Sequence, residues 1–229
     1  MSKKENLQEP EELQNVENAL SSSEEFIENH LKEIIYAVIA IVAVFVGFFL
    51  FKYKYLQPRE LKAQEQIYKG EEYFAQDSFA LAINGDGVDF IGFENIAKEY
   101  KWTKTAKLAK VYAGISYYRM HQPEKAIELL KGFNADDKMV SPAVTGLVGD
   151  CYVAVKDYDN AAKYFEKAVK NADNELISPI YLEKLAVIYE VTGKKDKAIE
   201  AYTTIKEKYP NSMSAYDIDR HISRVKASK

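Results

Sequence analysis

The longest uninterrupted hydrophobic run lies near the start of the chain. Ile34–Phe51 reads IIYAVIAIVAVFVGFFLF and contains neither a charge nor a proline. In helical form it rises about 27 Å, close to the hydrocarbon thickness of a bilayer. A helix also satisfies its own backbone hydrogen bonds, which lipid cannot do for it. Tyr36, Tyr53 and Tyr55 stand near its ends, and Lys32, Lys52 and Lys54 close both ends with charge, as interfacial anchors do. A core helix of a soluble domain keeps a polar face over such a length; this run has none. Before it, residues 1–23 are rich in Glu, Asn, Gln and Ser and are expected to be disordered. Leu13, Val16 and Leu20 form only a weak stripe. Ser22 and Glu25 have capping-box spacing and would start a helix through Phe26, Ile27 and Leu31 into the span.

From Pro58 the pattern changes to a 3.6-residue period broken by short turns. The clearest unit is 179–212. Its first helix carries Leu182, Leu185, Ala186 and Tyr189, Gly193 makes the turn, and its second helix carries Ala198, Tyr202 and Ile205 before Tyr209-Pro210. Small residues at Ala186 and Ala198 allow two helices to approach, and large rings beside them fill the gaps. The same frame recurs as Gly149, Tyr152, Ala161, Phe165 and Ala168 in 142–175, and as Gly114, Tyr117, Ala126, Leu130 and Phe133 in 107–140. A degenerate unit precedes these. Its first helix is expected over about 59–82 and its second over 90–100, joined by the flexible loop 83–89. Ala215, Ile218, Ile222 and Val225 mark a terminal capping helix, which repeat stacks need.

These units resemble tetratricopeptide repeats, with a near-34-residue period and the small–aromatic pattern of helical hairpins. The expected fold is therefore all-α: one N-terminal transmembrane helix, then a solenoid of three to four repeats and a cap. The domain bounds are 1–23 (tail), 24–55 (juxtamembrane and transmembrane helix, span 34–51), 56–106 (long helix and degenerate repeat), 107–213 (three repeats) and 214–229 (cap).

Charge adds a question of topology. Residues 1–33 hold nine acidic side chains against Lys3, Lys4 and Lys32, a balance of −6 in a chain of net −4. The remainder is close to neutral, which gives no case for nucleic-acid binding. The span has no small-x-small cleavage site at its end and no following cysteine, so it reads as an uncleaved signal anchor. Lys52, Lys54, Arg59 and Lys62 outnumber Lys32, and the positive-inside rule taken alone would keep the larger domain in the cytoplasm.

Candidate chemistry is sparse. His30, His121 and His221 lie apart, without metal-ligand or triad spacing. Gly85-Asp-Gly87 lacks the Walker pattern and the terminal Glu of an EF-hand. Cys151 is expected to be a packed thiol. No catalytic residue, cofactor or metal is expected.

The whole layout resembles the ancillary SecYEG translocon subunit family (YfgM-like proteins). The features that carry the resemblance are an acidic N-terminus, the Glu28-Asn29-His30-Leu31-Lys32 stretch, one anchor, a long helix over 55–82 and a small repeat domain. The resemblance implies a bacterial inner-membrane protein with a cytoplasmic N-terminus and a periplasmic repeat domain. Its implied partners are the SecYEG translocon and a membrane-anchored periplasmic prolyl-isomerase-like chaperone. A membrane-tethered adaptor for envelope assembly or cell division, or one facing the cytoplasm, is the alternative. Such stacks bind peptides in the groove lined by first helices. The groove positions here are Leu108, Val111, Ile115, Tyr118 and Arg119, then Gly146, Asp150 and Val153, then Ile180, Glu183 and Val187. The Lys/Asn clamp for chaperone C-termini is missing: the corresponding positions hold Val111 and Ile115, Gly146 and Asp150, Glu183 and Val187. Either these residues receive an apolar segment, or they pack between repeats.

Overall fold

The computed structural model describes residues 21, 24 and 26–228. The weak stripe of Leu13, Val16 and Leu20 and the capping-box pair Ser22 and Glu25 lie outside them. The chain divides into two units, Met1–Gln57 and Pro58–Lys229. In the first, α1 (Leu31–Leu50) contains no buried residue and is followed by a π-helical turn, Phe51–Leu56. By length and composition the apolar stretch is sufficient to cross a membrane, with a mean hydropathy of 3.0 over its most apolar window. Among the described residues nothing covers that window, 0% of which is buried.

The second unit is a run of helical hairpins: α2 (Gln57–Ala75), α3 (Phe79–Asn84), α4 (Phe93–Glu99), α5 (Lys104–Arg119), α6 (Pro123–Leu130), α7 (Val140–Ala154), α8 (Tyr158–Ala172), α9 (Ser178–Val191), α10 (Lys195–Lys208) and α11 (Ile218–Ala227). Among the described residues there is no strand. The all-α repeat fold expected from the pattern is the one observed. The small positions Ala126, Ala161, Ala186 and Ala198 are fully buried, as are Leu130, Phe165 and Tyr202 beside them. A Cβ added to Gly114 would collide with Leu130, and one on Gly149 with Phe165. Helix approach is therefore set by the absence of a side chain.

Each hairpin turns the same way. His121, Lys156 and Gly193 have φ of 58°, 61° and 73°, and each turn closes with two bonds to the preceding helix. Gln122, Asp157 and Lys194 donate their N–H to the carbonyls of Tyr117, Tyr152 and Tyr189 at 2.9, 2.9 and 2.7 Å. His121, Lys156 and Gly193 donate to Tyr118, Val153 and Glu190. This is the Schellman arrangement of a left-handed helix end.

That turn corrects the reading of the degenerate first repeat. Asp77 is also left-handed, at φ 55°, and Ser78 donates to Tyr73 O at 2.9 Å as Asp77 donates to Phe74 O. The long first helix thus ends at Ala75 instead of continuing to residue 82. Gly70, Tyr73 and Ala82 fall into the repeat frame around this turn. The second helix of the hairpin is split into α3 and α4 by an excursion between Gly85 and Gly92. Those glycines have φ of 92° and 89°, and a Cβ on either would strike the backbone of the opposite end of the loop. The excursion therefore returns to its starting point. Phe93 then takes the place that Leu130, Phe165 and Tyr202 take downstream: it is fully buried, and a Cβ on Gly70 would collide with it. Phe93, Leu130, Phe165 and Tyr202 are 37, 35 and 37 residues apart, whereas Ala82 and Ala126 are 44 apart.

The loop is ordered around one carboxylate. Asp86 Oδ1 accepts the N–H groups of Val88, Asp89 and Phe90 at 2.9, 3.0 and 2.9 Å, and Tyr73 donates its hydroxyl to Oδ2 at 3.0 Å. Lys69 pairs with Asp89 at 2.9 Å. Neighbouring hairpins are tied by tyrosines: Tyr117 donates to Glu94 at 2.6 Å and Tyr189 to Glu166 at 2.5 Å. Both pairs are separated by 23 residues, which again places α4 as a second helix. Burial and the Glu94 bond push the Tyr117 phenol up to about 12.

Candidate functional site

The first helices of the last two repeats, α7 and α9, are held close by Tyr181. Its hydroxyl donates to Ala143 O at 3.1 Å, and its ring occupies the space that a side chain at Gly146 would need. Gly146 is therefore buried beneath a neighbour and does not line a groove. Beside this contact α7, α8 and α9 enclose a cleft of about 410 Å³ lined by Asp150, Val153, Phe165, Ile180, Glu183, Lys184, Val187 and Ile188. Five of the eleven predicted groove positions meet here: Asp150, Val153, Ile180, Glu183 and Val187. Ile180 and Val187 are each 45% exposed, so they present apolar surface to the opening.

The polar groups of the cleft are already engaged. Lys184 donates to both carboxylate oxygens of Asp150, at 2.8 and 2.7 Å, and its ammonium lies 5.9 Å from the Phe165 ring centroid and 5.4 Å from that of Tyr181. Burial raises the Asp150 pKa, and the Lys184 contact only partly offsets this. Glu183 accepts a bond from Ser214 at 2.9 Å. What remains for a ligand is an apolar trough with its charges paired at the edge. This chemistry suits the side chains of an apolar peptide or helix.

The other predicted positions separate. Val111 is buried, in the same cluster as Ile83 of α3, with Ile115 packed against that cluster. The chain's own first hairpin covers this part of the face. Arg119 pairs with Asp77 at 3.3 Å and lies 5.2 Å from the Phe79 ring centroid. Tyr118 and Arg119 line a separate cavity of about 460 Å³ with His121, Pro123 and Ala154. Leu108 is 38% exposed and belongs to neither. Three lining residues, Phe165, Lys184 and Ile188, escape sequence reasoning. Phe165 reads as hairpin core, and only the packing of α9 against α8 shows that its ring also walls the cleft.

Cys151 is fully buried, and burial pushes its thiol up to about 12. Among the described residues no three His, Cys, Asp or Glu side chains are grouped to hold a metal ion.

Comparison with known proteins bears on the hairpins. A family model described as tetratricopeptide repeat matches residues 113–175 and 149–212. Together the two matches run over residues 113–212, and the hairpins of the second unit are tetratricopeptide-like repeats. The crystal structure of MamA is similar, at a TM-score of 0.51 and 21% identity, over 68% of this chain and 86% of that one. A crystal structure of nearly identical TPR-like repeats of a Podosopora anserina kinesin light chain aligns at a TM-score of 0.53 and 14% identity, over 72% and 85% of the two chains. At such identities the likeness is one of fold. No curated protein matches the chain in sequence. Repeats of this kind suggest a scaffold for protein–protein contacts.

Proposed function

We propose that this chain is a non-enzymatic, membrane-anchored adaptor that holds an apolar segment of a protein partner in the α7–α9 cleft. One observation carries the reading: the same chain has an 18-residue apolar window that no described residue covers and an open apolar trough on its repeat unit. The first suits a bilayer and the second a peptide. Tethering raises the effective concentration of the cleft near chains that emerge at the membrane. The resemblance to the ancillary translocon subunit family extends this reading to the bacterial inner membrane, with the repeats in the periplasm. Partners would then be the SecYEG translocon and a membrane-anchored prolyl-isomerase-like chaperone.

Affinity purification in mild detergent tests the partners; recovery without translocon or chaperone subunits removes that role. Ile180→Lys and Val187→Glu test the cleft. Both positions are on the surface, so the helical content and melting temperature are expected to hold while partner recovery falls at least about tenfold, the equivalent of 1.4 kcal/mol. Unchanged recovery moves the binding site elsewhere. A second reading rests on Lys52, Lys54, Arg59 and Lys62 beyond the span, which favour a cytoplasmic repeat unit. Protease added to spheroplasts separates the two, since only an outward-facing unit is cut.

A further inference from the structure

The only tryptophan of the chain, Trp102, sits in the turn between α4 and α5. It is 60% exposed and has φ 75°, a left-handed conformation that a bulky residue rarely adopts. Lys101 Nζ lies 5.6 Å from the centre of its ring. Lys101, Lys104 and Lys107 are all exposed, so the turn offers an amphipathic ring among cations.

The position of this turn is fixed by the start of the repeat unit. Glu60 accepts the N–H of Lys104 at 2.7 Å and the hydroxyl of Thr105 at 2.7 Å. Arg59 donates to Glu99 O, and its guanidinium carbon lies 5.5 Å from the Tyr100 ring centroid. Residues 99–105 are thus bound on both sides of Trp102 to residues 59 and 60. Arg59 stands eight residues beyond Phe51, where the apolar span ends. Eight residues of chain reach at most about 29 Å in any conformation, and Lys52, Tyr53, Lys54 and Tyr55 among them are exposed.

We propose that the Lys101–Trp102 turn is a membrane-interface foot that seats the repeat unit on a lipid surface. The chemistry is that of an aromatic belt: a tryptophan ring at headgroup depth, flanked by cations that favour anionic headgroups. Two anchorage points distant in sequence, the span and this turn, would restrict swinging of the stack about the chain that joins it to the bilayer. The inference rests on the reading of Ile34–Phe51 as a transmembrane span.

Because Trp102 is the only tryptophan, its fluorescence reports on this turn alone. The full chain is reconstituted into vesicles of phosphatidylcholine and phosphatidylglycerol, with acyl chains brominated either near the carbonyl end or near the methyl end. Flotation shows whether the chain inserts. The expected result is flotation, blue-shifted emission, and stronger quenching by bromine near the carbonyl end. A Trp102→Phe/Tyr216→Trp chain carries the probe at the far end of the stack, on a residue 93% exposed, and should float without quenching. Flotation with Trp102 emission unshifted and unquenched overturns the foot but leaves the span standing. Equal quenching of the two probes also overturns it, by showing that the whole stack lies on the surface. Failure to float removes the span and, with it, the foot.

Discussion

At Asp86 one carboxylate accepts three backbone N–H groups and the Tyr73 hydroxyl. The bonds from Phe90 and Val88 come first among the causes that hold its carboxyl far below the usual carboxylate range. A carboxylate with a depressed folded-state pKa contributes stability above its unfolded pKa of about 3.9 and loses it as pH falls through the folded value. Asp86→Ala should therefore lower the melting temperature at neutral pH, and the gap from wild type should close as pH is taken below about 4. A pH-independent gap in thermal melts would assign the loss to packing instead. Sequence reading marks Gly85-Asp-Gly87 as a loop but takes it for a flexible one. The partner that orders it, Tyr73, sits one helix away, and no local signal connects them.

At the scale of the helical hairpin, the left-handed turn residue is a repeated device filled by four residue types, Asp77, His121, Lys156 and Gly193. Gly193 adopts φ 73° in open space, with nothing within 4 Å of where a Cβ would stand. Gly193→Ala should therefore cost only the conformational term, about 1–2 kcal/mol. Lys156, exposed at the equivalent turn with φ 61°, should behave in the opposite sense. Lys156→Gly removes that term at the expense of a more flexible unfolded chain and should gain about 0.5–1 kcal/mol. Urea titration of the two variants checks both signs. The hairpins of 142–175 and 179–212 were legible because every marker, from Gly149 and Phe165 to Ala186 and Tyr202, stands at its repeat position. The first hairpin was misread for a physical reason. Its second helix opens after Asn84 and resumes at Phe93, so the spacing of markers stretches at that point and the pattern of α3 was joined to α2. Gln76–Ser78 contains no glycine or proline to announce the turn that Asp77 makes.

In the molecule as a whole, stability runs from neighbour to neighbour, and the last hairpin depends on its cap. Ile218 and Val225 of α11 are each 2% exposed and share a cluster with Tyr202 and Ile205. Arg224 grips Glu190 through two bonds, at 2.6 and 2.9 Å. Truncation after Ala215 should remove about 3–5 kcal/mol through the two aliphatic side chains alone and melt α9 and α10 first. Far-UV circular dichroism and the protease sensitivity of those helices read this out. The same nearest-neighbour logic explains why only half of the groove was legible. Asp150, Val153, Ile180, Glu183 and Val187 of α7 and α9 line the open cleft, as the repeat frame implies, whereas Gly146 lies beneath Tyr181 and Val111 is buried in a cluster with Ile83 of the first hairpin, whose split the frame did not contain. That split has a consequence for how such proteins diversify. A helix that opens and recloses at one point can accept inserted residues without moving its neighbours, so the stack tolerates a change of length at its interior. Here the family model begins at residue 113, within α5 and beyond the split first hairpin.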